Sequence, residues 1–170
     1  MYAAAKARYQ RLANAARWAC EKELAFIGVF ALSECSNKTL EAIETQWEPA
    51  GRNEETRWDW KEILRRHREP DRLEMAIWSG ERLAGVALAL TGGDSVTLAF
   101  LEGDPRQECP LRGKRALIAL DATARYAQGR GKAEIRISPI NASLERLYVE
   151  QYGFEKRSER GEQDHLFRRV

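Results

Sequence analysis

The chain has 170 residues, of which 44% are hydrophobic and 32% charged, and its formal net charge is +2. This hydrophobic fraction argues against disorder, and the length suits one domain with at most an extension. The near-neutral charge argues against bulk adhesion to nucleic acid or to a membrane surface. The three cysteines lie far apart without a Cys-x-x-Cys spacing, which predicts a reducing cytoplasm and no metal site.

The first 70 residues are predicted to form a helical region that packs on the rest of the chain. Apolar residues recur at helical spacing from Met1 to about Ala25. This helix is Arg-rich and acid-poor at its start, so an organellar transit peptide is the alternative to an ordinary helix. Leu24 to Leu32 is nearly all apolar and fits either an extension of that helix or a buried strand. Two more helices are predicted, from Ser36 to Trp47 and from Glu54 to Arg68.

The period of the apolar residues changes to two after Pro70. Alternation predicts strands over 73–77, 83–91 and 96–100, which glycine-containing turns join into an antiparallel meander. After a loop, a helix is predicted from Gly113 to Gln128, followed by a short strand over 134–138. Because a helix separates this strand from the strand over 96–100, the two can run parallel.

The end of the chain is predicted to hold one more helix and a hairpin. Asn141 opens the helix, and Gly153-Phe154 closes it. The final hairpin pairs residues 154–158 with 165–169. The two histidines, His67 and His165, are expected to lie at the surface.

The loop before the helix at Gly113 has the features of a phosphate site. It follows a strand, and it carries Arg112, Lys114 and Arg115 to the start of a helix. The first N–H groups of a helix lack partners within it, and the helix dipole and the nearby cations favour an anion there. Gly113 removes a side chain where a phosphate oxygen must approach the backbone. From Arg106 to Arg136 there are eight Lys or Arg against three Asp or Glu, so the positive excess lies on this segment.

From roughly Arg72 to Arg169, this order of elements resembles the GNAT superfamily of acyl-CoA-dependent N-acyltransferases. The step from Asn141 to Tyr148 before Gly153-Phe154 is similar to a family motif in which Asn and Tyr lie seven residues apart. This chain has one residue more than usual between Tyr148 and Gly153. In the family's pyrophosphate motif, Arg/Gln-x-x-Gly-x-Gly/Ala, Gly113 matches the central glycine, whereas Pro110 and Arg115 depart from the pattern.

The resemblance implies a mixed α+β fold, with a mostly antiparallel sheet and a splayed parallel pair at its centre. It also implies that acetyl-CoA or CoA binds in the gap between the parallel strands. Backbone N–H groups near Leu101 and Glu102 would face the thioester oxygen. The cofactor-binding residues would be Leu101, Arg112, Gly113, Lys114, Arg115, Ala116 and Asn141.

Chemistry at neutral pH suggests roles for several side chains. Tyr148 can donate a proton to the leaving thiolate, with Tyr152 as the rival because it directly precedes Gly153. Glu102 at a strand end can act as a base that accepts the proton of the amine, or be a solvated loop acid; an ordered water is another acceptor of that proton. Trp58 and Trp60 are expected to wall the acceptor pocket, and ordinary core packing is the alternative for both.

The function expected from these features is transfer of an acetyl or other short acyl group from CoA to a primary amine in a ternary complex. The alternatives are an acyl-CoA-binding module without turnover and a GNAT-type toxin or modifier that acts on charged tRNA or a protein. The expected partner is a small-molecule or peptide amine, and a homodimer is left open. No membrane partner is expected, and the net charge disfavours nucleic acid.

Overall fold

The computed structural model describes residues 1–139 and 141–170. A seven-stranded sheet with the order β1-β2-β3-β4-β5-β7-β6 forms its centre. Every neighbouring pair of strands is antiparallel except β4 and β5, which are parallel. The mostly antiparallel sheet with a parallel pair at its centre is therefore confirmed. The strands are β1 (Ala31–Ser33), β2 (Arg72–Ser79), β3 (Arg82–Gly92), β4 (Ser95–Gly103), β5 (Glu134–Ile137), β6 (Glu155–Arg157) and β7 (His165–Arg169).

Helices cover both faces of the sheet. The helices are α1 (Tyr2–Glu23), α2 (Asn37–Ala42), α3 (Trp60–Arg66), α4 (Arg115–Gly129) and α5 (Ala142–Tyr152). Side chains of α1, α4 and α5 share one apolar cluster on the first face. Side chains of α2, the π-helical turn Ile43–Trp47 that continues it, and α3 share a second cluster on the opposite face. No helix in the described part of the chain is long and apolar enough to cross a membrane.

The segment from Leu24 to Leu32, which the sequence left open, changes conformation along its length. Helix α1 ends at Glu23, a 3-10 turn covers Ala25–Ile27, and β1 begins at Ala31. The Leu32 N–H donates to a carboxylate oxygen of Glu21 at 2.5 Å, which helps to fold the chain back along the helix end. Strand β1 then pairs with β2 at the edge of the sheet. The first 70 residues are thus not entirely helical, because they also supply this edge strand.

The third predicted helix is much shorter than expected. The helix predicted from Glu54 to Arg68 is α3, and it begins only at Trp60. Asp59 caps it by accepting the Glu62 N–H at 3.2 Å. The Trp58 N–H, one residue before the cap, donates to Glu102 on β4 at 3.0 Å. This long-range hydrogen bond keeps the backbone at Trp58 out of the helix.

The partly buried carboxylate of Asp71 connects several of these elements. Asp71, between α3 and β2, accepts hydrogen bonds from Thr91 on β3 at 3.0 Å and from the Tyr126 hydroxyl on α4 at 2.7 Å. Arg130, which follows α4, adds two hydrogen bonds at 2.8 and 2.7 Å. Burial alone would raise the pKa of Asp71, but these hydrogen bonds outweigh it and lower that pKa.

Candidate functional site

The two parallel strands separate part of the way along the sheet. Pairing between β4 and β5 begins at Ser95↔Glu134 and ends at Leu98↔Ile137. Strand β4 continues to Gly103, so its last residues have no β5 partner within the described residues. The register between β3 and β4 also shifts here, because Leu98 and Phe100 oppose consecutive residues of β3. Ala99 is therefore the extra residue of a β-bulge.

This bulge changes the direction of the side chains along β4. Leu98 packs in the cluster of the first face, whereas Phe100 packs in the cluster of the opposite face. Regular alternation would have put both on one side. The bulge therefore lies where β4 loses its β5 partner and turns its side chains to the other face.

A cavity of about 620 Å³ occupies this gap. Four structural parts border it: the ends of β4 and β5, the loop before α4, one side of α5, and a segment before α3. Among its lining residues are Asn53, Thr56, Trp58, Leu98, Ala99, Leu101, Gly103, Arg112, Gly113, Arg115, Ala116, Ile137, Leu144, Leu147, Tyr148 and Tyr152. The cavity thus brings together Trp58, the basic loop and Tyr148, which are far apart in sequence.

The loop before α4 presents backbone donors at the cavity, but fewer than expected. The Arg112 N–H donates to Cys109 at 3.0 Å and the Lys114 N–H to Leu111 at 2.9 Å, so both are already engaged. The N–H groups of Arg115 and Ala116 belong to the first turn of α4, where no intrahelical acceptor exists. Gly113 has a φ of +80°, in the left-handed region that favours glycine, and a side chain there would meet nothing within 4 Å.

Two of the three predicted phosphate-binding cations are used within the protein. The Lys114 ammonium donates to the Ile27 carbonyl at 2.5 Å. The Arg115 guanidinium donates to the Asp104 carbonyl at 2.9 Å and lies so close to Gly103 that a Cβ there would be 2.5 Å from it. Arg112 is exposed and borders the cavity. The expected three-cation site therefore reduces to one exposed arginine plus backbone donors.

Tyr148 lies on α5 with only 4% of its surface exposed, and it lines the cavity. Its ring packs edge-on against Phe154, with a centroid distance of 5.9 Å, and is 5.9 Å from the ring of Tyr152. Burial, followed by the proximity of Tyr152, raises the pKa of Tyr148 to about 12. Burial also raises the pKa of Tyr152, which lines the same cavity. Both tyrosines therefore remain protonated at neutral pH.

Glu102 is neither a solvated loop acid nor an unengaged carboxylate. It is 3% exposed, and Arg52 donates to it from Nε at 2.8 Å and from Nη2 at 2.6 Å. The Trp58 N–H and the Trp60 indole N–H add hydrogen bonds at 3.0 and 2.9 Å. Four donors thus occupy the two oxygens, so the carboxylate binds the segment before α3 to β4. Because its partners lie 42 to 50 residues away in the chain, no local pattern identified Arg52.

Two other predicted site residues, Asn141 and Trp60, do not line this cavity. Asn141 caps α5 by accepting the Leu144 N–H at 3.0 Å, and its amide donates to Glu55 at 2.9 Å. Trp60 is 2% exposed and lies in the cluster of the opposite face, which agrees with the alternative of core packing.

Both histidines were expected at the surface, and neither is fully exposed. His165 is 8% exposed because it begins β7 beside β6. His67 is half-buried, with its ring 5.5 Å from the ring of Phe100.

No protein-family model and no curated protein sequence matches the chain. Solved structures do match it. The ribosomal-protein-S18-alanine N-acetyltransferase from Escherichia coli has a TM-score of 0.57 at 21% identity, over 82% of this chain and 91% of that one. The PaiA N-acetyltransferase from Thermoplasma acidophilum, in complex with coenzyme A, has a TM-score of 0.54 at 14% identity, over 84% and 100%.

A third structure carries the family name. The GNAT domain of PAT from S. lividans has a TM-score of 0.56 at 17% identity, over 83% of this chain and 89% of that one. These identities are low, so the similarity bears on the three-dimensional fold. The resemblance read from the sequence is confirmed at that level: the chain has the fold of the GNAT N-acetyltransferases.

Proposed function

We propose that this protein transfers a short acyl group, most simply acetyl, from CoA to a primary amine. One observation carries the proposal: a single cavity joins free backbone donors at the start of α4, the gap between β4 and β5, and Tyr148. A phosphate-binding loop and a proton donor would thus both border the gap between the two parallel strands.

The residues that line the cavity fit acyl-CoA. The N–H groups of Arg115 and Ala116, the left-handed backbone at Gly113 and the exposed side chain of Arg112 would hold the pyrophosphate. The unpaired edge of β4 offers backbone groups to the extended pantetheine arm. A structure with this fold was solved with coenzyme A, which supports the assignment.

The reaction requires little from the side chains beyond position and one proton. The thioester supplies an activated carbonyl carbon and a thiolate leaving group. The lone pair of a neutral amine forms the new C–N bond, and the C–S bond breaks. Tyr148 donates its proton to the departing sulfur, and backbone N–H groups near Leu101 stabilise the developing oxyanion. Because Glu102 is fully engaged, the proton of the amine passes to water, and the Tyr148 phenolate regains a proton from water.

The acceptor would enter from the face that carries Asn53, Thr56 and Trp58. These groups are uncharged, which suits a neutral amine on a small molecule or a peptide.

The three cysteines are free, which supports the cytoplasmic location inferred from the sequence. Association into a homodimer stays a prediction.

A second candidate is an acyl-CoA-binding module without turnover. The observation that favours it is the engagement of Glu102, which leaves this predicted base hydrogen-bonded to four donors. An amine panel separates the two, because only the enzyme releases free CoA when an amine is added.

Calorimetry with CoA and with pantetheine, which lacks the nucleotide and the pyrophosphate, tests the proposed cofactor. We expect CoA to bind more tightly, by at least tenfold, since a charge-assisted phosphate contact contributes about 1.5–3 kcal/mol. Equal affinity for the two ligands would show that the start of α4 does not hold the pyrophosphate.

A further inference from the structure

Trp58 lies between two cavities. It lines the cavity in the strand gap, and it also lines a second cavity of about 440 Å³. Within the described residues it is the only one that lines both. The two cavities therefore meet at Trp58.

The backbone and the side chain of Trp58 are held in different ways. Its N–H donates to Glu102 at 3.0 Å, and its carbonyl accepts from Arg52 at 2.5 Å. The ring instead packs edge-on against Phe100, with centroids 4.9 Å apart. Its indole N–H is buried and has no hydrogen-bond partner within the described residues, which is unusual for a buried indole. Changing the side chain therefore leaves both backbone hydrogen bonds in place.

The second cavity has an apolar floor below a charged rim. Leu40, Ile43 and Trp60 contribute the floor, and Ile43 and Trp60 are buried. The other lining residues are charged: Arg52 is buried in its ion pair with Glu102, whereas Glu44, Glu48, Arg57, Asp59 and Lys61 are exposed and form the rim. A floor of this composition suits an alkyl chain, provided that the chain can pass the position of the indole.

We propose that Trp58 determines the length of the acyl group by closing the strand-gap cavity at its acyl end. The inference rests on the proposed function, because an acyl-CoA whose phosphates lie at Arg112 and Gly113 directs its acyl group away from the basic loop. With the indole in place, acetyl and other short groups fit. Without it, the two cavities join, and a longer chain reaches the apolar floor.

Calorimetry with acetyl-, butyryl- and hexanoyl-CoA tests this on Trp58→Ala and Trp58→Leu, each checked for folding by thermal unfolding. In the wild type, affinity should not increase with chain length beyond acetyl. In Trp58→Ala, affinity relative to acetyl-CoA should rise about fourfold for each added methylene, the value for burying one CH₂. Trp58→Leu removes less bulk, so it should show a smaller rise, and it provides the test if Trp58→Ala does not fold.

Trp18→Ala is the matched control, because Trp18 is 62% exposed on α1. It should keep the wild-type dependence on chain length. If Trp58→Ala or Trp58→Leu folds, binds acetyl-CoA and also keeps that dependence, Trp58 does not close the cavity and the inference is overturned. If the wild type binds no acyl-CoA at all, the proposed function fails first and this inference fails with it.

Discussion

Tyr148 has two environments at once. Its ring belongs to the apolar cluster with Phe154, while the residue also borders the strand-gap cavity. Burial that raises its pKa to about 12 favours the neutral hydroxyl. The hydroxyl therefore stays protonated at neutral pH, as a donor of a hydrogen bond or a proton to a departing sulfur must.

Tyr148→Phe should therefore lower kcat by about 10²–10⁴, the range for a general acid, with CoA affinity nearly unchanged. Phe preserves the ring packing, so thermal stability should change little. Steady-state kinetics and calorimetry measure the two effects. In addition, wild-type kcat should not fall between about pH 7 and pH 9 through loss of this proton, because the raised pKa lies above that range.

Tyr152→Phe is the control for this prediction, since both tyrosines line the cavity. A large loss of rate in Tyr152→Phe together with normal turnover in Tyr148→Phe would show that Tyr152, not Tyr148, donates the proton to the thiolate. Normal turnover in both variants would mean that the thiolate leaves unaided or through water.

A buried ion pair joins the segment between α2 and α3 to strand β4. Arg52 and Glu102 are almost completely shielded, with side-chain exposures of 5% and 2%. Their hydrogen bonds raise the pKa of Arg52. The pair joins the strand that borders the gap to the segment that supplies Asn53, Thr56 and Trp58. The buried pair is thus one of the contacts that fix this segment, alongside the hydrogen bond from Asn141 to Glu55.

Glu102→Gln should reduce the free energy of unfolding by about 3 kcal/mol, the lower end of the range for breaking a buried pair, because the buried Arg52 then keeps only the half-exposed Glu48 as a counter-charge. We expect KM for the amine to rise while CoA affinity changes little, since the acceptor side loses its position. Chemical denaturation and kinetics measure these effects.

Arg52→Met is the matched variant for a double-mutant cycle. If the pair acts as a unit, the double variant should be less destabilised than the sum of the single changes. A loss of kcat in Glu102→Gln with full stability would instead assign Glu102 the role of a base.

At the scale of the whole molecule, the sheet separates two apolar clusters, and polar contacts join the elements around it. Asp71 is the clearest case, because it bonds to β3 and to the end of α4. Arg130, one of its partners, also lies 4.7 Å over the ring of Tyr9 on α1. A single carboxylate therefore helps to hold the covering helices to the sheet.

Asp71→Asn should reduce the free energy of unfolding by about 2 kcal/mol at neutral pH, as expected for hydrogen bonds to a charged group at a partly exposed site. Because the folded-state pKa of Asp71 is lowered, its stabilisation is present above the unfolded pKa, near 3.9, and disappears as pH falls through the folded pKa. The difference between wild type and variant should thus shrink below about pH 4. Denaturation at several pH values measures it.

Asp94→Asn, at an exposed turn, should have little effect at any pH and serves as the control. If the destabilisation by Asp71→Asn stays constant into the acid range, shape rather than charge accounts for the role of Asp71.

The sequence by itself determined the order of elements from β2 to β7 and the parallel pair at the centre. Alternation and helical spacing report which side of an element is buried, so they identify strands such as 83–91 and the helix before Gly129 without any long-range information. Gly113 and Tyr148, which both line the cavity, were predicted as site residues from local turn chemistry and from the resemblance to a family motif. The shorter α3 and the edge strand β1 were missed or left open, because contacts with Glu102 and with β2 decide them.

Only the tertiary structure decided the engagement of the charged groups and the shape of the cavity. The sequence predicted Lys114 and Arg115 to be free cations. In the structure Lys114 donates to the carbonyl of Ile27, which is distant in sequence, and Arg115 donates to the carbonyl of Asp104, in the loop before α4. The sequence suggested that Glu102 is a base or a loop acid, yet its carboxylate forms an ion pair with Arg52, 50 residues away in the chain. A charged side chain has the same sequence signature whether it meets water or a buried partner, and the partner is known only once the sheet and the helices bring the two together.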